Sequence, residues 1–404
     1  MKSMIVRSVA VGCAAACIGS VAEAGKGKPA HKAGEYLAGD FHQHTLYTDG
    51  GFPFHQVMAA NDAYGLDWWA NSEHGGERNR DGVGDNWANT NAYPVNPIMG
   101  LYEESGGWQE MWRWQSLRDF VWPDILTARS DYSDKIIISG YEWNVPGHEH
   151  CSTAIVTDNN EAISAFEYQF DASDEDFSRE GEVTPFGTLY KQNGYSNFVQ
   201  NSTSVGSTYK GKEAAHADTV TACAWMQAQY DAGLIDNAWI VWAHIERKGD
   251  WTTGSGYNVE SFRDFNNAAP DICFGFEGAP GHQTSGDRGF GRNAFGGGTY
   301  GGTGYYSAII GGLWDAMLGE GRNWYKFASS DFHWHWSLGG SDFWPGEYQK
   351  NYTYVDVDAP CGRENAVAEG LRSGNSWNVQ GDLIDMLEFT AHGQGKFKAQ
   401  MGET

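Results

Sequence analysis

The sequence predicts an α/β protein, a distorted (β/α)7 TIM-like barrel with long insertions. Three observations predict it. Seven short apolar runs of strand length recur along the chain, most are separated by stretches of helical periodicity, and residues able to hold metals or protons gather just past the run ends. Continuous apolar runs belong to parallel sheets covered on both faces, and a barrel carries its chemistry at the carboxyl ends of its strands. A doubly wound open sheet is the competing architecture, but it would gather such residues near one switch point instead of after every strand.

The chain opens with Lys2 and Arg7, an apolar stretch from Ser8 to Val21, and the A-x-A pattern Ala22-Glu23-Ala24, which together read as a secretory signal over residues 1–24. A soluble protein cut after Ala24 and localised to the periplasm or secreted is the expectation. The apolar run is too short to span a bilayer and no later run replaces it. Residues 25–34, rich in Lys, Gly and Ala, read as a disordered leader, and residues 35–404 as a single domain.

Tyr36–His44 is the first strand, ending in His42 and His44. Pro53 opens a helix that Gly65 closes near Tyr64. Leu66–Asn71 is the second strand and delivers Glu73 and His74. A first insertion covers about 75–135, a Gly-, Asn-, Asp- and Pro-rich loop followed by helical spacing over Trp108–Phe120. Ile136–Gly140 is the third strand, ending in Glu142, and Ser152–Thr157 the fourth, directly after His150. A second, polar insertion covers about 158–235, with an acidic cluster over Asp171–Asp176 and a helix around His216–Tyr230.

Ala238–Ala243 is the fifth strand, tipped by His244, and Ile272–Phe276 the sixth, tipped by Glu277. The glycine-rich stretch 281–304 reads as a lid or surface loop and lacks the Gly-Lys-Ser/Thr ending of a P-loop. A helix over Tyr305–Leu318 leads to the seventh strand, Tyr325–Ser329, tipped by Asp331 and His333. Tyr352–Val357 reads as an edge strand and Arg363–Leu371 as the last helix.

Composition narrows the function. With 27 basic against 52 acidic residues, the surface repels phosphate backbones, so nucleic acid is not an expected partner, nor is a membrane. Cys151, Cys223, Cys273 and Cys361 would remain after signal removal, enough for two disulfides in an oxidising compartment. No CxxC spacing marks a structural zinc knuckle. Eighteen tryptophans point first to core packing, and second to aromatic platforms for sugars.

His42 and His44 share one face of their strand because side chains alternate, and paired neutral imidazoles are ready metal ligands. Their company raises that reading: His74, Glu142, His148 with His150, His244, Asp331 and His333 each adjoin a strand. The plain alternatives are hydrogen-bonded core histidines and carboxylates that cap helices, and Asp49 before Gly50 also reads as a turn residue. A thiolate-free set of imidazoles and carboxylates suits zinc, manganese or iron at a catalytic centre. Two such cations about 3.5–4 Å apart lower the pKa of a bridging water and clamp the charge of an in-line phosphoryl displacement. Hydroxide would be the nucleophile, with Asp331 or His333 orienting it or protonating the leaving oxygen. Arg247, three residues past His244, and Arg78, near His74, are candidate anchors for a phosphate oxygen.

The blocks GDFHQHTLYTDG (39–50), GLDWWANSEHG (65–75), IIISGYEW (136–143), VWAHIER (241–247) and ASSDFHW (328–334), with the pair His148 and His150, resemble the PHP (polymerase and histidinol phosphatase) superfamily, in particular a branch described only as a domain of unknown function. The resemblance implies a distorted seven-stranded barrel holding two or three divalent metals, and it implies phosphoester hydrolysis. It places His42, His44, Glu142 and Asp331 on a first metal, with Glu142 bridging to a second completed by His244 and by His150 or His148, of which His150 directly precedes the strand. A third metal would use His74, His333 and Asp49, where some relatives have histidine; Glu73 stands where the family usually has Asp. The expected activity is that of a metal-dependent phosphomonoesterase or phosphodiesterase acting on a small molecule. Hydrolysis of an amide or lactone is one alternative, and a non-catalytic, Trp-rich carbohydrate-binding protein is another.

Overall fold

A computed structural model describes residues 34–76, 78–99, 103–105, 108–200, 205–243, 245, 247–280, 303–335, 343–393 and 398–401. The signal and leader readings, the stretch 281–300 and His244 lie outside the described residues.

Ten strands form two five-stranded sheets. In chain order they are β1 (Glu35–Asp40), β2 (Trp68–Ala70), β3 (Ile136–Ile138), β4 (Gly140–Trp143), β5 (Cys151–Val156), β6 (Asn237–Trp242), β7 (Gly275–Pro280), β8 (Tyr325–Ser329), β9 (Gln349–Val355) and β10 (Ser376–Gln380). One sheet has the order β10-β9-β1-β2-β3 and the other β8-β7-β6-β5-β4. Pairing is parallel for β1 with β2, β2 with β3, β6 with β7 and β7 with β8, and antiparallel where β5 or β9 takes part. The α/β class holds, with the strands in two sheets.

Two seams join the sheets. At one, Ser139 alone separates β3 from β4, and its carbonyl accepts Ile155 N–H from β5 at 3.1 Å. At the other, a parallel bridge pairs Gln43 with Phe332 and His44 N–H donates to the Phe332 carbonyl at 2.8 Å. The segments that run past β1 and β8 are therefore bound side by side.

Buried strands explain the apolar runs. Ile136–Ile138 and Asn237–Trp242 are buried at every position, as strands covered on both faces must be. Alternate residues feed two cores: Trp69, Ile137, Ile240 and Trp242 face one, and Trp68, Ile136, Ile138, Trp239 and Val241 the other. In the second core Phe41 packs within 6.3 Å of Trp68 and Trp239 and 5.8 Å of Phe327, so aromatic rings from both sheets meet directly beneath His42. Gly39 is required there, because a side chain at this position would run into the Trp68 indole. Seven tryptophans among the described residues, Trp68, Trp69, Trp87, Trp143, Trp239, Trp242 and Trp324, are fully buried.

The helices cover the sheets. They are α1 (Phe54–Ala63), α2 (Arg113–Ser116), which passes through a π turn at Leu117–Val121 into α3 (Trp122–Asp131), then α4 (Glu161–Phe170), α5 (Lys212–Asp231), α6 (Val259–Ala268), α7 (Tyr305–Ala308), α8 (Leu313–Gly319) and α9 (Arg363–Ser373). None of the described helices is long and apolar enough to cross a membrane.

Several expectations need correction. The helix expected from Trp108 begins at Arg113, because Trp108–Glu110 pairs with Glu103–Ser105 as a hairpin. The helix expected over Tyr305–Leu318 is broken near Gly311, whose φ of +76° lies in the left-handed region. Glu142 does not end the third strand but sits inside β4, in the other sheet. The expected edge strand is interior, flanked by β1 and β10. Helix α6 carries no expectation; Asn258 and Ser261 start it with a reciprocal capping box. The four cysteines among the described residues are thiols, with Cys151, Cys223 and Cys273 buried and Cys361 half-buried.

Candidate metal centre

The site lies where the strand ends meet. His42 and His44 follow β1, His74 follows β2, Glu142 is in β4, and Asp331 and His333 follow β8. His150 precedes β5, which runs antiparallel to β4 and β6, so the start of this strand reaches the same edge as the ends of its parallel neighbours. That reversal explains a candidate ligand before a strand instead of after one.

His42, His44, Glu142 and Asp331 are buried and bring one ligand atom each within 4.8 Å of all the others. His44, Asp49 and His74 form a second such group. Glu142 links the parts. Its Oε1 lies 3.4 Å from His42 Nε2 and 3.0 Å from His150 Nδ1, and its Oε2 lies 3.3 Å from His44 Nε2 and 3.1 Å from His74 Nε2. Asp331 Oδ1 is 3.3 Å from His42 Nε2 and 3.5 Å from His44 Nε2. His333 bonds Asp49 through Nε2 at 3.1 Å and the Asp331 carbonyl through Nδ1 at 2.9 Å.

Glu277 on β7 explains how His42 is aimed. Its carboxylate takes the His42 Nδ1 contact at 2.9 Å and is itself held by the hydroxyls of Ser152 at 2.8 Å and Ser329 at 2.6 Å. A carboxylate only accepts, so Nδ1 carries a proton and Nε2 faces Glu142 and Asp331. Facing two carboxylate oxygens, Nε2 needs positive charge between them, a proton or a divalent cation in its place. Such carboxylate–histidine support is what ligating imidazoles receive. The residues present therefore fit a divalent cation.

The electrostatics point the same way. Burial alone would lower the pKa of His42, yet Glu277, Glu142 and Asp331 hold it well above the ordinary value. His44 is likewise carried past the effect of burial to about 10 by Asp331 and Glu142. Glu142 is pulled well below the usual carboxylate range despite complete burial, by His150, His42 and His74. Glu142 is thus matched to surrounding positive charge, the role a metal would fill.

Supporting residues fix the loops. Asp40 Oδ1 accepts the Phe41 and Ser330 N–H groups at 2.9 and 3.0 Å, tying the ends of β1 and β8, and burial raises its pKa to about 6. Glu73 accepts Thr45 N–H at 3.2 Å and the Thr48 hydroxyl at 2.9 Å, so it shapes the first loop without joining either ligand group. Arg80 clamps that loop by donating to the carbonyls of Leu46, Thr48 and Gly50 at 2.8, 3.2 and 3.1 Å. Gly50 is needed where the loop folds back, because a Cβ would lie 2.6 Å from the His44 backbone. Asp331 has φ +47°, a left-handed conformation rare for a residue other than glycine, and such strain concentrates at functional sites.

These groups open into a cleft of about 300 Å³. One wall carries Asp49, His74, Glu142, His150, Asp331 and His333. Arg113, Asn144, Ser173 and Arg247 complete the lining among the described residues. Arg247 is held by Glu149, with Nε at 3.0 Å and Nη2 at 2.5 Å from one carboxylate oxygen.

No family model matches the sequence, and no curated protein matches it. Several solved chains are similar. One of them is a two-domain protein from Bacteroides vulgatus ATCC 8482, described as containing a predicted PHP-like metal-dependent phosphoesterase, with 11% identity over 88% of this chain and 70% of the other and a TM-score of 0.38.

Three sequence expectations are placed differently. His148 is outside the ligand groups: it bonds the Gly256 carbonyl and His216 Nδ1, both at 2.9 Å, and burial lowers its pKa to about 3. Arg78 does not line the cleft; it lies half-buried in the loop after β2, where its charge acts on Arg80. The group centred on Asp49 holds His44 and His74, with His333 bonded to Asp49 alongside. Sequence reasoning missed Arg113 and Arg80, and had Glu277, at the tip of a strand, as a residue standing behind the ligands. Arginines in insertions carry no spacing signal, whereas a Glu at a strand tip does.

Proposed function

We propose that this chain is an exported metal-dependent phosphoesterase of the PHP type acting on a small, strongly polar phosphate ester. One observation carries the reading: His42, His44, Glu142 and Asp331, from three strands in two sheets, converge in a buried cluster that opens into a cleft lined with arginine. In this reading the two sheets, joined at their seams, are the distorted barrel of that family. The mature protein begins after Ala24.

His42, His44, Glu142 and Asp331 would hold one divalent cation, and His44, Asp49 and His74 would serve a second group linked to the first through Glu142. His150 reaches the other Glu142 oxygen. Bound cations supply Lewis acidity, lowering the pKa of water and neutralising charge on the phosphoryl group. The residues of the chain do the rest. Arg247, fixed by Glu149, offers its remaining N–H donors to a phosphoryl oxygen. His333 bonds the Asp331 carbonyl and the Asp49 carboxylate through its two nitrogens, which fixes the ring in the wall of the cleft, and it is the imidazole assigned to protonate the leaving oxygen.

The lining decides between alternatives. A glycan site needs aromatic platforms, and among the described residues no tryptophan lines the cleft. Amide or lactone hydrolysis needs the cations but not paired guanidiniums. The test is release of 4-nitrophenol from its phosphate monoester and its bis-phosphodiester with manganese or zinc present, repeated with a chelator and with His44→Ala. Metal-dependent turnover lost in both controls supports the proposal; turnover of carbonyl esters alone contradicts it.

A further inference from the structure

We propose that His148 and His216 are positioning residues: they lock together the two chain segments that carry Glu149 and Arg247, so that the second insertion sets where the Arg247 guanidinium stands in the cleft. The inference rests on the phosphoesterase reading for what Arg247 binds, and it gives a role to the histidine that the ligand groups leave out.

His148 stands where the two segments meet. It directly precedes Glu149, while Arg247 opens the loop that runs on to Tyr257. The Nδ1 of His148 donates to the Gly256 carbonyl at 2.9 Å, and Gly256 packs on the carbonyl of Gly249, two residues past Arg247, with no room for a Cβ. Tyr257 makes a second connection. Its ring stacks on His148 at 5.0 Å with 3° between the planes, and its hydroxyl donates to the Glu149 carbonyl at 2.5 Å. Arg247 meets the Glu149 carboxylate at this junction.

His148 is itself held from outside the site. A carbonyl only accepts, so the proton of the neutral ring is on Nδ1, and Nε2 accepts from His216 Nδ1 at 2.9 Å. His216 belongs to α5, in the second insertion, and its Nε2 meets the Asp264 carboxylate of α6 at 3.1 Å. Trp251 stacks on His148 at 5.3 Å and lies 4.9 Å from the His216 ring. Thr219, one turn further along α5, donates to the Pro146 carbonyl at 2.9 Å, so α5 fixes the approach to Glu149 at two points.

Both imidazoles are buried, and a buried polar ring costs free energy unless its nitrogens are bonded. All four ring nitrogens are engaged here, and a satisfied buried network holds one arrangement. The candidate ligands have other supports. His150 is tied to the end of β6, its carbonyl accepting Ala243 N–H at 3.0 Å, and His42 is aimed by Glu277. Loosening His148 therefore falls on the grip of Arg247 and leaves the metal groups in place.

The test follows inorganic phosphate binding to metal-loaded mature protein by calorimetry, and the Arg247 Nε–H resonance of metal-free protein by nitrogen NMR. In His216→Ala, phosphate should bind roughly 3- to 10-fold more weakly, the range for one hydrogen bond, while manganese affinity stays within about threefold. The Arg247 Nε–H, bonded to Glu149 in the wild type, should exchange faster with water. His216→Asn, which places an amide N–H where Nδ1 stands, should recover part of both effects. Glu149→Gln should weaken phosphate binding as well, and adding His216→Ala to it should cost nothing further, because the two act as one unit. Should His216→Ala not fold, Asp264→Asn, at the exposed end of the chain of bonds, carries the same readouts. An unchanged Arg247 resonance, additive losses in the double variant, or manganese affinity falling as far as phosphate affinity overturns the inference. If the wild type binds no phosphate and cleaves no ester, the phosphoesterase reading falls, and the Arg247 resonance alone decides whether His216 positions that side chain.

Discussion

Replacing Glu277 by Gln separates a residue that aims a ligand from one that merely fills space. The carboxylate receives His42 Nδ1 at 2.9 Å and Ser152 Oγ at 2.8 Å on one oxygen and Ser329 Oγ at 2.6 Å on the other. An amide of the same shape can turn its oxygen to His42 and Ser152 and its NH2 to the Ser329 hydroxyl, which rotates to accept, so the shape is kept and the negative charge behind His42 Nδ1 is what is removed. Losing such outer support of a ligating histidine typically costs about 10- to 100-fold in metal affinity, which is about 1.4–2.7 kcal/mol. The fold itself exchanges charge-assisted hydrogen bonds for neutral ones, a difference of only about 0.5–1.5 kcal/mol. Calorimetric titration of metal-stripped protein with manganese or zinc measures the first quantity, and denaturant unfolding of the stripped protein measures the second. A dissociation constant within about threefold of wild type, with unfolding unchanged, would refute the assignment of Glu277 to the orientation of His42.

Other consequences can be checked independently. Trp239 is fully buried between Phe41 and Trp68, with rings 6.3 and 6.4 Å away, so Trp239→Ala should cost about 3–5 kcal/mol in urea unfolding; a cost under about 1 kcal/mol would contradict the shared core. Glu167 is buried, and burial together with Asp174 and Asp171 raises its pKa well above the ordinary value. The folded state therefore keeps this proton to higher pH than the unfolded chain, so the group's contribution is complete below the unfolded pKa and is lost as pH rises through the folded one. Glu167→Gln should then gain in melting temperature relative to wild type between pH 5 and pH 8; a constant difference would be against it. Thiol titration should find Cys361 reactive in the folded protein and Cys151, Cys223 and Cys273 only after unfolding; two titratable thiols fewer after unfolding would reveal a disulfide.

Much of this arrangement was legible in the chain. The runs around Ile137 and Ile240 are apolar at consecutive positions because both faces are covered, and that is visible without coordinates. The candidate ligands were legible for the same reason: His44 and Asp331 each follow a buried run, where a polar residue has little other reason to sit. What stayed hidden depends on long-range pairing. Nothing in the triplet around Ser139 announces that the chain leaves one sheet there and enters another, carrying Glu142 with it. The reversed direction of β5, which brings His150 rather than His148 to Glu142, is likewise a property of its partners. Arg113 sits in a stretch of helical spacing where an arginine looks like any surface residue, and only the insertion folded against it turns it towards the cleft.

Anomalous diffraction from crystals of the mature protein grown with manganese or zinc tests the central claim most directly. The account predicts a peak within about 2.0–2.3 Å of ligand atoms from His42, His44, Glu142 and Asp331 together. A map with no peak among these four residues, or with the metal bound elsewhere while the rings stay bonded to the carboxylates, would contradict it.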